Sequence, residues 1–287
     1  MIEQLTIIGL GLIGGSLALG LKQAGAVKRV TAYARRQESI DEALKLDVID
    51  SGFTDMAQAM DGASVVVVAT PVGVMGQMFE LLKPHLTEQM VLTDVGSTKG
   101  SVVEAASKVF GQLPGGFVPG HPIAGTEENG VAAAFAELYR GRRVILTPLP
   151  SSSGQAVSVT RQLWQSCGAE VVEMGLEHHD EVLAATSHLP HMLAFALVDT
   201  LARMDESEEI FEFAAGGFRD FTRIASSNPA MWHDICLANR GALLAVLQRF
   251  SADLGELTQA IESGDSEYLL QTFNRAKGAR DRFAQKI

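Results

Sequence analysis

Cysteine is scarce in this chain of 287 residues: there are two, Cys167 and Cys236, far apart and without metal-binding or redox spacing. That excludes a disulfide-stapled scaffold and a thiolate metal centre. It suits a reducing cytosol, where both serve as small apolar residues. Positive charge is also short. Lys and Arg number 23 against 34 Asp and Glu, a formal net charge of −11, so the surface as a whole repels nucleic acid and anionic membranes. An anionic substrate must then be drawn in by a few local arginines. Internal repeats and low-complexity segments are missing too, and SSSG at 151–154 is a simple loop. The apolar opening, LTIIGLGLIGGSLALGL, lacks a basic leader, follows Glu3 and is broken by five glycines, so it is expected to be neither a signal peptide nor an anchor. No other run reads as long and apolar enough to span a bilayer. With 47% hydrophobic and 20% charged residues, the composition is that of an ordinary soluble protein with ample core material.

What is present changes texture near residue 172. Before it, strand patterns alternate with helical ones: QLTIIG (4–9), RVTAYA (29–34), ASVVVVATP (63–71), MVLTDVG (90–96), GFVPG (116–120) and RRVILTP (142–148). Short β-branched runs separated by helices predict a mostly parallel, doubly wound sheet covered on both faces. QAVSVTRQLWQSCG and then AEVVEM complete this half as a last helix and strand. After it every segment carries apolar residues at three- and four-residue spacing. The expected division is an α/β domain over 1–172 and an all-helical domain over 173–287. The helical part has more apolar surface than its length needs, which predicts burial against a second copy, a homodimer.

Gly9-Leu-Gly11-Leu-Ile-Gly14 follows the first strand and opens a helix. In that setting Gly9 permits the tight turn, Gly11 lets the backbone approach a pyrophosphate, and Gly14 lets helix pack on strand: the Rossmann dinucleotide pattern. The amides around Leu12 and Ile13 then face the phosphates with the positive end of the helix dipole. Thr70 and Pro71 of TPVG, at the carboxyl edge of the sheet, are expected to line the same cleft. An acid about 20 residues beyond the glycines ordinarily holds the adenosine ribose 2′-hydroxyl. Here VTAYARRQES puts Ala34 at that position, followed by Arg35 and Arg36. The missing carboxylate and the two guanidinium groups predict NADP as the preferred cofactor, with NAD possible. In the competing reading both arginines are solvated and Glu38 replaces the acid.

The second site is read from PGHPIAGTEENG (119–130), which sets His121 against a proline between glycines. Histidine is the side chain whose unperturbed pKa suits a base near neutrality. The order GLGLIGGS, ATPV, DVGSTKG, GHPIAGTE, SHLPH and GGFRDFTRIA…NPAMWHDI resembles the prephenate and arogenate dehydrogenases of tyrosine biosynthesis over nearly the whole chain. The dehydrogenase fills the length, so no fused mutase or regulatory domain is expected. The resemblance implies NAD(P)-dependent oxidative decarboxylation of a cyclohexadienyl acid. Hydride leaves ring C4, the C4 hydroxyl gives up its proton, and carbon dioxide leaves C1 as the ring becomes aromatic.

It also implies roles by residue. His121 is the base, and Ser97, which reads on its own as a helix N-cap, bonds the substrate hydroxyl and the histidine. Arg223 anchors a carboxylate through its bidentate fork, while Arg219 pairs structurally. Asp220 and Glu127 form an ion-pair gate, a surface salt bridge being the plainer reading, and Thr126 of the same motif joins the substrate-binding set. His191 lies near the side-chain carboxylate and His188 in the polar network around the gate. Thr98 and Lys99 read as structural or cofactor-proximal, and Trp232 as a core aromatic close to the site. His178, His179 and His233 read as exposed-helix residues without a role. No metal is expected: a third ligand for His188 and His191 is lacking, and hydride transfer to nicotinamide needs none. Prephenate and L-arogenate, a keto group against an amine, stay open as substrates. The alternatives are an NADP-linked β-hydroxyacid or imine reductase and a nucleotide-binding redox sensor, neither of which needs GHPIAGTE and the arginine-bearing helix together.

Overall fold

The computed structural model describes residues 1–126 and 128–284. Its first part alternates β1 (Ile2–Ile8), α1 (Leu12–Gln23), β2 (Val27–Tyr33), α2 (Gln37–Lys45), β3 (Ser51–Phe53), α3 (Met56–Met60), β4 (Val65–Val68), α4 (Met75–Leu82), β5 (Val91–Asp94), α5 (Gly100–Phe110) and β6 (Phe117–Val118). These six strands pair in parallel in the order β3-β2-β1-β4-β5-β6. The VVVV run of β4 is buried on both sides because successive strand residues face opposite layers. Val65 and Val67 join one apolar core with Leu5 and Ile7, while Val66 and Val68 join another with Ile8 and Leu92. Strand order reverses between β1 and β4, and the crevice at the carboxyl ends of that pair is where such sheets take their ligands.

The later strands of this part do not extend that sheet. β7 (Gly120–Pro122), β8 (Arg143–Leu146) and, after α6 (Gly154–Ser166), β9 (Glu170–Glu173) form a separate three-stranded sheet, β7-β8 antiparallel and β8-β9 parallel. His121 therefore sits on a strand opposite Ile145, not in a loop as the sequence suggested. Gly-His-Pro has no β-forming character, so only the pairing with β8 makes it a strand.

The rest is helical: α7 (Leu176–Leu183), a π-helical turn (Ala184–His188), α8 (Leu189–Ala202), α9 (Ser207–Glu212), α10 (Gly216–Thr222), a 3-10 turn (Arg223–Ser226), α11 (Pro229–Ala238), α12 (Arg240–Ser263) and α13 (Ser266–Ala284). Among the described residues no strand follows Glu173. The chain separates into two compact units, Met1–Arg240 and the residues from Gly241 onward, so α7 to α11 belong with the sheets. Contrary to the expectation that no further run is membrane-compatible, the continuous helix Leu176–Ala202 is long and apolar enough by length and composition. The π turn joins two patterns that are each too short. Only 28% of its most apolar stretch is buried, which leaves apolar surface on α8.

Candidate active site

At the end of β1 the backbone turns through Gly9 at φ +105°, where a Cβ would lie 2.6 Å from the Ala69 carbonyl oxygen. Only glycine fits that turn. A Cβ at Gly14 would lie 2.7 Å from the Gly9 carbonyl oxygen, so α1 rests directly on the strand end, whereas nothing lies within 4 Å of a Cβ at Gly11. That open approach leads to the start of α1, which has no side-chain cap, so the amides of its first turn are free for an anion. Thr70 adds a buried hydroxyl without a partner, and Pro71 follows it at the surface. These residues fit a dinucleotide. Ala34 is buried while Arg35 and Arg36 are exposed at the mouth of β2, and Glu38 lies in the first turn of α2, beyond the strand end.

The buried polar groups near His121 form one connected set. The Asp180 carboxylate can only accept, so His179 donates from Nδ1 at 2.8 Å. With its Nδ1–H given to Asp180, His179 accepts at Nε2 from the His121 Nδ1–H, 2.9 Å away. Asp180 thereby selects the tautomer of His121 that keeps a lone pair on Nε2. The Lys99 and Gly100 amides each donate to Asp180 at 2.8 Å, so this carboxylate also caps α5 from another helix. Burial, then His179, Lys99 and His188, hold the His121 pKa well below the ordinary histidine value. Asp180 is lowered although burial opposes it, because His179 and the two amides stabilise the anion. Beneath β7 the Asp94 and Lys99 side chains pair in full burial, and Lys99 Nζ also donates to the Gly120 carbonyl at 2.6 Å. Burial pushes the Lys99 pKa down, against the raising effect of Asp94 and Asp180.

Two sequence expectations need correction. Ser97 is not the N-cap of α5: the cap position is Lys99, without a side-chain bond, and Asp180 meets the free amides instead. His179 is fully buried, while His178 and His233 are exposed as expected, with about two thirds of each side chain accessible. In HHDE a helix presents adjacent residues to different sides, so α7 turns His179 inward and His178 outward.

His188 and Asn239 complete the buried set. The Asn239 amide donates to the Asp180 carbonyl at 2.8 Å and to His188 Nδ1 at 3.1 Å. Neutral His188 therefore carries its proton on Nε2, which meets no partner at hydrogen-bonding geometry, although the Ser97 carbonyl faces it. Burial takes the His188 pKa down to about 4, against Asp180 and that carbonyl. His191 donates from Nδ1 to the Ser187 carbonyl at 2.8 Å and stacks on Trp232, with centroids 3.6 Å apart. Its pKa is lowered by burial. Trp232 is buried with its Nε1 unpartnered and stands edge-on to His188, so the expected core aromatic forms part of this wall. Helix α11, which carries it, packs on the Val72–Val74 turn beside Thr70 and Pro71.

The 3-10 turn that begins at Arg223 packs against α8, bringing the arginine's segment to the helix of His191. Arg219, Asp220 and Arg223 are exposed. Thr126 is also exposed, and its hydroxyl accepts from the Glu128 amide at 3.3 Å. Glu127, and with it the expected gate, lies outside the described residues. Thr98 pairs with the Ser101 hydroxyl at 2.6 Å. Among the described residues no group of three or more His, Cys, Asp or Glu side chains is placed to hold a metal ion. Asp94, His179, Asp180 and Asn239 had no functional reading in the sequence. An acid closing the apolar strand VLTD was the one visible signal.

Similarity to known proteins is extensive. The family model for the nucleotide-binding domain of prephenate dehydrogenase matches residues 17–173, and that for its dimerization domain matches 176–275. The chain is 40% identical to the cyclohexadienyl dehydrogenase of Zymomonas mobilis, over 97% of this chain and 95% of that one. It is 39% identical to the prephenate dehydrogenase of Bacillus subtilis, over 98% and 76%. The crystal structure of prephenate dehydrogenase from A. aeolicus, in complex with hydroxyphenyl propionate and NAD+, superposes with a TM-score of 0.91 at 36% identity, covering 99% of both chains.

Proposed function

We propose a role for each group of this site on the premise that the chain belongs to the prephenate dehydrogenase family and is an oxidoreductase that oxidatively decarboxylates prephenate. The observation that carries the assignment is the His121–His179–Asp180 chain. Because the carboxylate can only accept, the chain leaves His121 with a basic Nε2. The C4 hydroxyl of the substrate donates to that nitrogen. A bound nicotinamide supplies the acceptor for the hydride that leaves C4. As C4 becomes electron-poor, His121 Nε2 takes up the hydroxyl proton, and His179 and Asp180 stabilise the resulting imidazolium. The C1–carboxylate bond breaks with its electron pair closing the aromatic ring, carbon dioxide departs, and the proton returns to the phenol oxygen of 4-hydroxyphenylpyruvate. L-Arogenate would yield L-tyrosine by the same steps.

Ser97, on the loop pinned between the Asp94–Lys99 pair and Asp180, holds the substrate hydroxyl against His121. Arg223 anchors a carboxylate. His191 binds the side-chain carboxylate from Nε2, gaining a proton there because Nδ1–H is committed to Ser187. His188 and Trp232 back that wall, and Thr126, Glu127 and Asp220 complete the substrate-binding set. Gly9, Gly11, Leu12, Ile13, Gly14, Thr70 and Pro71 hold the dinucleotide. Ala34, Arg35 and Arg36 favour NADP over NAD through the 2′-phosphate.

Residues 1–172 serve the nucleotide and 173–287 the substrate and a homodimer. Half-buried Met192, Leu193, Phe195 and Leu197 on α8 support the dimer, as do exposed Leu254, Ile261, Leu270 and Phe273 on α12 and α13. The test is to incubate the pure protein with prephenate and either nucleotide and follow reduced-nicotinamide absorbance. Turnover with prephenate is expected, faster with NADP. No turnover with either nucleotide would overturn the reading.

A further inference from the structure

We propose that Lys99 is a positioning residue for His121, its side chain fixing the peptide on which the base is mounted and its main chain fixing the relay that orients the ring. The inference rests on the reading of His121 as the base. Asp94 ends β5, and its carboxylate accepts from the Gly96 amide at 2.7 Å and from the Gly120 amide at 3.3 Å. The Lys99 ammonium pairs with that carboxylate and donates to the Gly120 carbonyl at 2.6 Å. The ion pair thus holds both polar groups of Gly120, whose carbonyl belongs to the peptide bond of His121. The seat of β7 also leaves little room for a side chain at position 120. A Cβ at Gly120 would already lie 3.1 Å from the Asp94 carbonyl oxygen and 3.3 Å from the Thr93 hydroxyl.

From the other side, the Lys99 amide donates to Asp180, which orients His179, which holds His121 Nδ1. The contacts close a ring that leaves Lys99 through Nζ, passes through the backbone and side chain of His121, and returns to the Lys99 amide. Both the position and the rotation of the imidazole depend on this residue.

A buried ion pair is a poor device for stabilising a fold, since apolar groups of equal volume do as well or better. Its value here is geometric and electrostatic. The groups acting on His121 are His179 in contact with it, Asp180 behind His179, His188 across from it, and the Lys99 ammonium beneath, with Asp94 as its counterion. The ammonium disfavours a second cation on His121, so the base stays neutral at lower pH.

The test is Lys99→Met in the full-length protein, with kcat/KM followed against pH and nucleotide affinity measured separately. Loss of the clamp should lower kcat by roughly tenfold or more and leave nucleotide affinity within about threefold. Removing the cation should raise the His121 pKa, moving the acid limb of kcat/KM up by about 0.5–1 pH unit. Asp94→Asn/Lys99→Met, which leaves no buried carboxylate unpaired, should shift the limb in the same direction. An unmoved limb with kcat within threefold of wild type would overturn the proposal. Failure of both variants to fold would overturn it too, by assigning the pair to the scaffold. Retained activity in His121→Asn sinks the base reading itself, whereas an impaired His121→Asn beside a Lys99→Met enzyme with an unmoved limb and kcat within threefold of wild type sinks only this inference.

Discussion

Replacing His179 with phenylalanine keeps a buried ring in place and removes both nitrogens of the relay. His121 would lose the acceptor that its Nδ1–H finds at 2.9 Å, in a site where the residue is 8% exposed. An unsatisfied buried donor costs about 1–3 kcal/mol. His121 escapes that cost by rotating or by moving its proton to Nε2, and either change removes the lone pair from the substrate hydroxyl. At about 1.4 kcal/mol per tenfold in rate, kcat should fall about 5- to 150-fold. Asp180 is less disturbed, since the Lys99 and Gly100 amides still donate to it at 2.8 Å. The start of α5 therefore keeps its cap, and nucleotide affinity should hold. His179→Gln can offer an amide oxygen to His121 and an amide N–H to Asp180, and should recover part of the loss. The assay is kcat at saturating prephenate and nucleotide, with thermal melting as the control for folding. A His179→Phe protein that melts like wild type and turns over within threefold of it would refute the tautomer argument.

His121→Asn should retain nucleotide binding and lose roughly 10²–10⁴-fold in kcat, whereas Arg223→Ala should raise KM with kcat nearly kept, because it removes binding common to ground and transition states; a collapse of kcat at unchanged KM would remove Arg223 as an anchor. Arg35→Ala and Arg36→Ala should weaken NADP selectively in kcat/KM comparisons, and a tenfold wild-type preference for NAD would defeat the cofactor assignment. Stability should fall on acidification. His188 moves from 6.5 unfolded to about 4 folded, so its contribution is complete above pH 6.5 and is lost as pH drops toward 4, about 3 kcal/mol in all; His121 adds in the same direction. Urea melts at neutral and acidic pH measure this, and His188→Gln should flatten the difference. Sedimentation should give about twice the 30.6 kDa chain mass, and an active monomer would contradict the dimer.

The parallel sheet was legible because β4 and β5 bury both faces, so that β4 reads as an unbroken β-branched run and β5 as a short apolar run closed by an acid. The glycine turn was legible because its spacing records a steric demand that Gly9 and Gly14 meet in the structure. Neither signal exists for β7. Gly120 and His121 become strand only through β8, whose partner register no local pattern encodes. Likewise β3, three residues long, carries too few positions for a period to show.

The site divides along the same line. His121 and His191 stood out because each stands beside a proline, and His188 because it lies one helical turn before His191. His179 and Asp180 sit in HHDE, which has the composition of a solvated helix face, and nothing local says which of four polar residues turns inward. That choice is made by α7 lying across the start of α5, where two amides require an acceptor and Asp180 reaches them. Once Asp180 is committed there, its remaining acceptor capacity fixes His179, and His179 fixes His121. The demand that orients the base therefore arises at a helix terminus in the nucleotide half and is met from the helical half. Single-residue reading sees each end of that chain as ordinary: Ser97 as a cap and His179 as surface. Only the packing of the two elements shows that the cap comes from Asp180, and that the same carboxylate chooses which nitrogen of His121 can accept a proton.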